Sequence, residues 1–275
     1  MTVPSLALNT GGSIPQLGLG TWPLTDETVQ PVILDALEAG YRHVDTAVRY
    51  GNEIGVGKAL AASGLDRDEF FVTTKLDGPF QGEDRAIAGL DESLRRLGLD
   101  HVDLLLMHWP LPARDLYVST WKTFERLQRD GKATAIGVSN FKPAHLQRLA
   151  AEADVMPAVN QVQLSPFTAR ISEREYAVDH GIAVESYSPL GRGGELFNTQ
   201  AVGAAAFKHG RSPAQIVLRW HIQHGLVAIP KSADPVRLRQ NLAVFDFVLD
   251  AEDMAALDAL DGTAGPAIDS DVDGH

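Results

Sequence analysis

Residues 95–110 read Arg-Arg-Leu-Gly-Leu-Asp-His-Val-Asp-Leu-Leu-Leu-Met-His-Trp-Pro, and Val102–His108 within them decides the fold. That run is apolar without the polar alternation of a half-wet sheet, which suits a parallel strand covered on both faces. Gly98 stands before it, where a preceding helix should stop in the left-handed conformation. A segment of helical period follows at 119–130. The same grammar extends in both directions. Short apolar runs at 17–20, 42–45, 70–75, 133–139, 158–163, 182–187 and 227–229 each precede a helical pattern. Those helices fall at about 26–39, 53–62, 83–97, 143–152, 172–180, 199–209 with 213–223, and 235–244, and Pro143, Pro213 and Pro235 stand where a missing N–H costs nothing. Strand-helix pairs repeated eight times without a Pro/Gly/Ser linker predict an α/β fold, a (β/α)8 TIM barrel spanning 1–275 as a single domain, over a doubly wound sheet with a second domain. Outside the eight lie a hairpin at 5–14 with its turn at Asn9–Gly12, an extra C-terminal helix at 251–261, and a tail at 262–275 that reads as loop.

Composition narrows the function. Lys plus Arg total 24 against 36 for Asp plus Glu, a net charge of -12, which argues against nucleic acid or an anionic membrane as the main partner. With Cys 0, no thiolate nucleophile, disulfide framework or thiolate metal site is available. The opening MTVPSLALNTGG has no basic leader, and no apolar run reaches the ~18 residues of a membrane span, so a soluble cytoplasmic protein is expected.

A barrel builds its site on the carboxyl ends of its strands, so the polar residues ending each run are the candidates. They are Asp45, Lys75, His108, Ser139 with Asn140, Gln161 beside Asn160, Ser186 with Tyr187, and Lys231 with Ser232. Singly, Asp45 reads as a helix cap, Lys75 as a rim charge and His108 as a satisfied core histidine; jointly they suggest one mouth. A tyrosine with an ordinary pKa of about 10 needs help to work near neutrality. An ammonium ~4 Å away supplies roughly 4 kcal/mol at an effective dielectric of ~20, so Lys75 beside Tyr50, held by Asp45, would bring the phenol down. His108 would orient and polarise a carbonyl oxygen. This equipment protonates an alkoxide, and no side chain donates hydride, which implies a nicotinamide cofactor. Gly18-Leu19-Gly20-Thr21-Trp22-Pro23 lacks the last glycine of a dinucleotide fingerprint, and no Walker sequence exists. Lys231, Ser232, Arg237 and Arg239 form the densest basic cluster and suit a 2′-phosphate.

Eight ordered blocks then carry a resemblance: LGLGTW (17–22), GYRHVDTAVRYGNE (40–53), TTKL (73–76), LLLMHWP (104–110), IGVSNF (136–141), VNQVQL (159–164), ESYSPLG (185–191) and IPKSADPVRLRQN (229–241). Over roughly 5–262 the chain resembles the aldo-keto reductases, and is similar to their small bacterial members of the 2,5-diketo-D-gluconate reductase type. The resemblance implies NADPH-dependent reduction of aldehydes and ketones, on small 2-oxo or diketo-sugar carbonyls, by a barrel whose hairpin closes the bottom. It implies Asp45, Tyr50, Lys75 and His108 as the catalytic four, with Tyr50 as general acid. For the cofactor it implies Ser139, Asn140 and Gln161 on the carboxamide, Tyr187 against the nicotinamide, Ser188, Leu190 and Gly191 along the pyrophosphate, and Lys231, Ser232, Arg237 and Asn241 at the 2′-phosphate end. Gly20, Thr21 and Trp22 would wall the cofactor and substrate, with Trp109 in the substrate pocket. A monomer is the family's usual state. Gln240 and Gln163 replace glutamates common in the family, and the short tail suggests a more open pocket.

Other signals carry less. Asp269–Gly274 repeats the opening of a calcium loop but lacks its glutamate at position twelve, so a solvated acidic tail is expected. His221 and His224 have no third ligand in the pattern, and no metal is expected. Two rival functions remain: a cofactor-binding regulatory subunit with little turnover, and a cofactor-free lyase forming a Schiff base on Lys75.

Overall fold

The computed structural model describes residues 3–191 and 194–275, so Met1 and Thr2 of the opening segment lie outside it. A hairpin of β1 (Ser5–Ala7) and β2 (Ser13–Pro15) comes first. Eight parallel strands follow in chain order around one sheet: β3 (Leu19–Gly20), β4 (His43–Asp45), β5 (Phe71–Leu76), β6 (Val102–Met107), β7 (Ala133–Ser139), β8 (Val159–Gln163), β9 (Ala183–Tyr187) and β10 (Val227–Ala228). The ends meet. Gly18 N donates to Ala228 O at 2.9 Å, Ala228 N to Gln16 O at 3.0 Å and Gly20 N to Pro230 O at 3.3 Å, which closes the barrel. Gly20 serves that seam rather than a phosphate loop, because a Cβ there would lie 2.8 Å from the Ile229 carbonyl oxygen.

The unbroken apolar run of β6 now has its reason. Leu104 and Leu106 face the barrel interior, packed with Leu8 and Ile14 of the hairpin, while Leu105 and Met107 join the larger core beneath the helices. The hairpin thus plugs the end opposite the site, and Asn9 Nδ2 donates to Pro157 O at 3.0 Å to fix it there.

Helices α1 (Asp26–Ala39), α2 (Glu53–Ala62), α3 (Glu83–Leu97), α4 (Tyr117–Arg129), α5 (Pro143–Glu152) and α6 (Ile171–Asp179) alternate with the strands. After β9 come α7 (Gln200–His209) and α8 (Pro213–Gln223), and α9 (Pro235–Leu242) follows β10. In α3, Ala86, Leu90, Leu94 and Leu97 recur at helical spacing and are all buried, and Gly98 ends the helix at φ 67°. The final helix α10 (Ala251–Asp258) stops short of the expected 261, as Leu260 N turns back to Leu257 O and Gly262 N bonds Phe167 O.

The tail departs from expectation. It has no helix or strand, and its carboxylates Asp269, Asp271 and Asp273 are exposed as expected, but it is held against the barrel rather than running free. Lys142 Nζ lies 2.5 Å from Asp269 and 2.6 Å from Asp271, and His145 Nε2 lies 2.9 Å from Asp271. Arg170 Nη2 holds the Ile268 carbonyl at 3.0 Å. Complementary charge on α5 therefore draws the tail back over the barrel mouth, where Ile268 and His275 become walls of the cavity.

Candidate active site

The strand ends deliver their polar side chains to one cavity of about 790 Å³. Asp45 ends β4, Lys75 lies near the end of β5, and His108 follows β6. Tyr50 closes a one-turn 3-10 helix (Val48–Tyr50) just after β4, and Gly51 turns the chain away at φ 64°. Lys75 Nζ donates to Asp45 Oδ1 at 2.5 Å, to Thr46 O at 2.9 Å and to Tyr50 Oη at 3.3 Å. The His108 ring stands edge-on to the Tyr50 ring with centroids 5.9 Å apart. Asp45, Tyr50 and His108 face the cavity, and Lys75 is sealed behind them.

Burial governs the charges. It raises the Tyr50 phenol above its usual value; Lys75 pulls it back and Asp45 pushes it up again. The ammonium does not bring Tyr50 down as expected from the sequence, because desolvation outweighs that pull. Burial opposes charge on Lys75 too, yet Asp45 and Tyr50 hold its proton affinity above the ordinary lysine value. Asp45 is itself raised by burial against the pull of Lys75. His108 falls well below the usual histidine range, through burial first and the nearby Lys75 charge second. At neutral pH the site therefore holds a protonated phenol, an ammonium and a neutral imidazole.

A fifth ionisable group completes the interior. Gln161 Nε2 donates to Asp45 Oδ2 at 2.8 Å and to Glu185 Oε2 at 2.7 Å. Burial and the Asp45 charge push Glu185 up to about 8, so it is protonated at neutrality. His43 Nε2 lies 3.6 Å from its other oxygen, with burial pulling that histidine down to about 3. Glu185 sits inside the ESYSPLG block, but its role was not legible there, because only the closed barrel brings inward-facing side chains of β4, β8 and β9 together.

The remaining candidates separate into two groups. Gly20, Thr21, Trp22 and Trp109 line the cavity near the reacting residues. Ser139, Asn140, Gln161, Tyr187, Ser188, Leu190, Lys231 and Arg237 line the same cavity. Asn140 and Ser188 hold φ 64° and 50°, strained values for side-chain-bearing residues that occur where strand ends are re-aimed into a site. Asn140 Nδ2 donates to His108 O at 3.1 Å and its Oδ1 accepts from Tyr187 Oη at 2.9 Å, which ties the tyrosine ring to the strand carrying the histidine. Gly191, Ser232 and Asn241 are not cavity walls. Gly191 closes a turn on Ser188 O, the Ser232 hydroxyl is bonded to the Asp234 main chain, and Asn241 hydrogen-bonds buried Tyr41. Walls the sequence reading missed include Arg49, Ile268 and His275.

The His pair set aside earlier is structural: His221 bonds Ser186 and the Val217 carbonyl, and His224 pairs with Asp258 at 2.8 Å.

A family model described as "Aldo/keto reductase family" matches residues 16–262. The chain belongs to the aldo/keto reductase family. An aldo-keto reductase of Mycobacterium sp. (strain KMS) is 47% identical over 261 residues, covering 95% of this chain and 94% of that protein. The methylglyoxal reductase DkgA of Salmonella typhimurium (strain LT2) is 47% identical over 257 residues, covering 93% of each. Among solved structures, a mutant of Gox0644 in complex with NADPH superposes with a TM-score of 0.94 at 42% identity over 98% of each chain. No helix among the described residues of this aldo/keto reductase is long and apolar enough to cross a membrane.

Proposed function

We propose that this chain reduces small carbonyl compounds of the 2-oxo or diketo-sugar type with NADPH, Tyr50 acting as general acid and Lys75, Asp45 and His108 as its partners. The observation that carries the reading is the hydrogen-bonded line Asp45–Lys75–Tyr50, 2.5 and 3.3 Å, opening on a cavity that His108 also faces. Methylglyoxal reductases among the relatives support the substrate class. An NADPH complex of a similar chain supports the cofactor.

The cavity's composition fits the cofactor, since Tyr50 with His108, the Tyr187 ring, and the cations Lys231 and Arg237 all border one space. Bound NADPH supplies the hydride that side chains cannot. Lys231 and the Arg237 guanidinium, whose side chain is 75% exposed, would hold the 2′-phosphate. The Gln161 amino group is already engaged by Asp45 and Glu185, which leaves its carbonyl oxygen to accept from the carboxamide. Ser139 and Asn140 would position that amide, and Trp22 and Trp109 would bound the substrate.

In this reading the neutral His108 imidazole donates to the carbonyl oxygen and the Tyr50 phenol delivers the proton as negative charge develops there. Lys75 then stabilises the phenolate, and Asp45 keeps the ammonium in place. A raised phenol keeps Tyr50 protonated near neutrality, the form in which it can act as the acid. The three donated hydrogen bonds of Lys75 and its raised proton affinity disfavour the Schiff-base alternative, which needs a free amine. We further propose that the enzyme works as a monomer in the cytoplasm.

The test follows NADPH absorbance with methylglyoxal, diketo-sugar acids and simple aldehydes. Tyr50→Phe should lose about 10²–10⁴-fold in turnover while NADPH affinity holds. Unchanged turnover would remove Tyr50 as the acid, and no turnover by the unaltered chain with any carbonyl would favour the regulatory alternative.

A further inference from the structure

Beside the reacting residues, three ligand-type side chains meet at the cavity edge. Asp77 follows β5, His108 follows β6, and His275 arrives on the folded-back tail. One carboxylate oxygen and one nitrogen from each imidazole lie within 4.8 Å of one another. Asp77 Oδ1, His108 Nδ1 and His275 Nε2 are each buried, and none has a hydrogen-bond partner. Asp77 and His108 are both more than nine-tenths buried. Nε2 of His275 is 3.8 Å from Asp77 Oδ1, and the His108 and His275 rings are edge-on at 4.9 Å. Buried polar atoms are ordinarily paired, so three unpaired ones in one place call for a common ligand.

We infer that Asp77, His108 and His275 form a binding site for a divalent metal ion of the zinc class at the mouth of the active-site cavity. Two imidazoles and one carboxylate suit Zn²⁺, Co²⁺ or Ni²⁺, whereas Mg²⁺ and Ca²⁺ prefer oxygen alone. His108 Nδ1 and His275 Nε2, the unpartnered nitrogens, are the atoms that would ligate the ion. Arg49 faces the other Asp77 oxygen at 3.6 Å and opposes a second cation, but its side chain is half exposed, where water screens its charge. Ligand bonds of about 2.0–2.2 Å require the three atoms to draw together by roughly 1 Å as the ion binds. The sequence could not reveal this set, since its members are far apart in the chain and the tail read as solvated.

An ion held there ties the tail to His108 and narrows the space both histidines line, so it should inhibit carbonyl reduction. That consequence rests on the proposed reductase activity; binding does not. Calorimetric titration of the full chain with ZnCl₂ should give one ion per chain, MgCl₂ should give no heat, and Co²⁺ should acquire the visible absorption of a nitrogen-ligated site. His275→Gln and Asp77→Asn, checked for folding by circular dichroism, should each weaken Zn²⁺ at least tenfold. NADPH consumption by the unaltered chain should fall with Zn²⁺ and return with EDTA, and His275→Gln should resist Zn²⁺. No Zn²⁺ heat, or equal affinity in the variants, overturns the site. Variant-sensitive binding without loss of turnover overturns the inhibitory role. A chain with no reductase activity at all fails the functional reading, while calorimetry still decides the metal site.

Discussion

The Lys75 ammonium lies 2.5 Å from the Asp45 carboxylate, with side-chain exposures of 1% and 2%. Both charges are out of water, so each needs the other. Removing one partner of such a pair costs far more than removing a surface pair, because the remaining charge stays buried and uncompensated.

Asp45→Asn should therefore lower folding stability by about 3–5 kcal/mol as well as slow turnover. Urea denaturation of both proteins checks it. A loss no larger than that of a surface ion pair would mean that Lys75 finds compensation elsewhere, from Thr46 O or Tyr50.

Glu185 gives the fold a pH dependence of definite sign. Its pKa rises from 4.5 in the unfolded chain to about 8 in the barrel, so across that window the folded state binds more protons than the unfolded state. Its contribution is fully present below about 4.5 and declines as pH rises to about 8. Glu185→Gln, which keeps the shape and a partner for Gln161, should remove this decline. Melting temperatures between pH 5 and pH 8 should then favour the variant increasingly as pH rises. A constant difference over the range would contradict a protonated Glu185.

Arg237→Ala tests the cofactor's far end. Affinity for NADPH should fall about tenfold or more, as expected for a lost charge-assisted fork, and affinity for NADH should change little. Fluorescence titration with both nucleotides distinguishes the cases, and equal losses would detach Arg237 from the 2′-phosphate.

The tail should respond to α5. Replacing Asp269 and Asp271 together by Asn removes the carboxylates that hold Lys142 and His145. Amide exchange across 266–275 should speed up in that variant, and in the unaltered chain at high salt, because exposed pairs are screened. Exchange that stays slow in both would mean that packing of Ser270 and His275 holds the tail by itself.

Much of the barrel was legible along the chain because its rules are local. Val102–Met107 announces a strand buried on both faces, Gly98 and Pro143 mark helix ends, and each is decided by neighbours a few residues away. Strand ends then named Asp45, Lys75 and His108, since barrel geometry sends every such end to the same face. Tyr50 lay beyond a strand end, and the resemblance of the block around it supported the choice.

Other features depended on distance in space. The direction of the Tyr50 shift required the depth of burial, which competes with Lys75 and which no spacing encodes. Glu185 became part of the site only when Gln161 joined it to Asp45 across the barrel. Ser232 and Asn241 proved bonded to the Asp234 main chain and to Tyr41 rather than facing the cavity. His275 meets His108 on a tail that Lys142, His145 and Arg170 hold back over the mouth, contacts that lie far apart in the chain. Periodicity and turn chemistry in the sequence determined which elements form and in what order, because those are properties of adjacent residues. Tertiary structure alone decided which charges lose water and which atoms from remote segments meet, because desolvation and Coulomb attraction act between whatever folding places side by side.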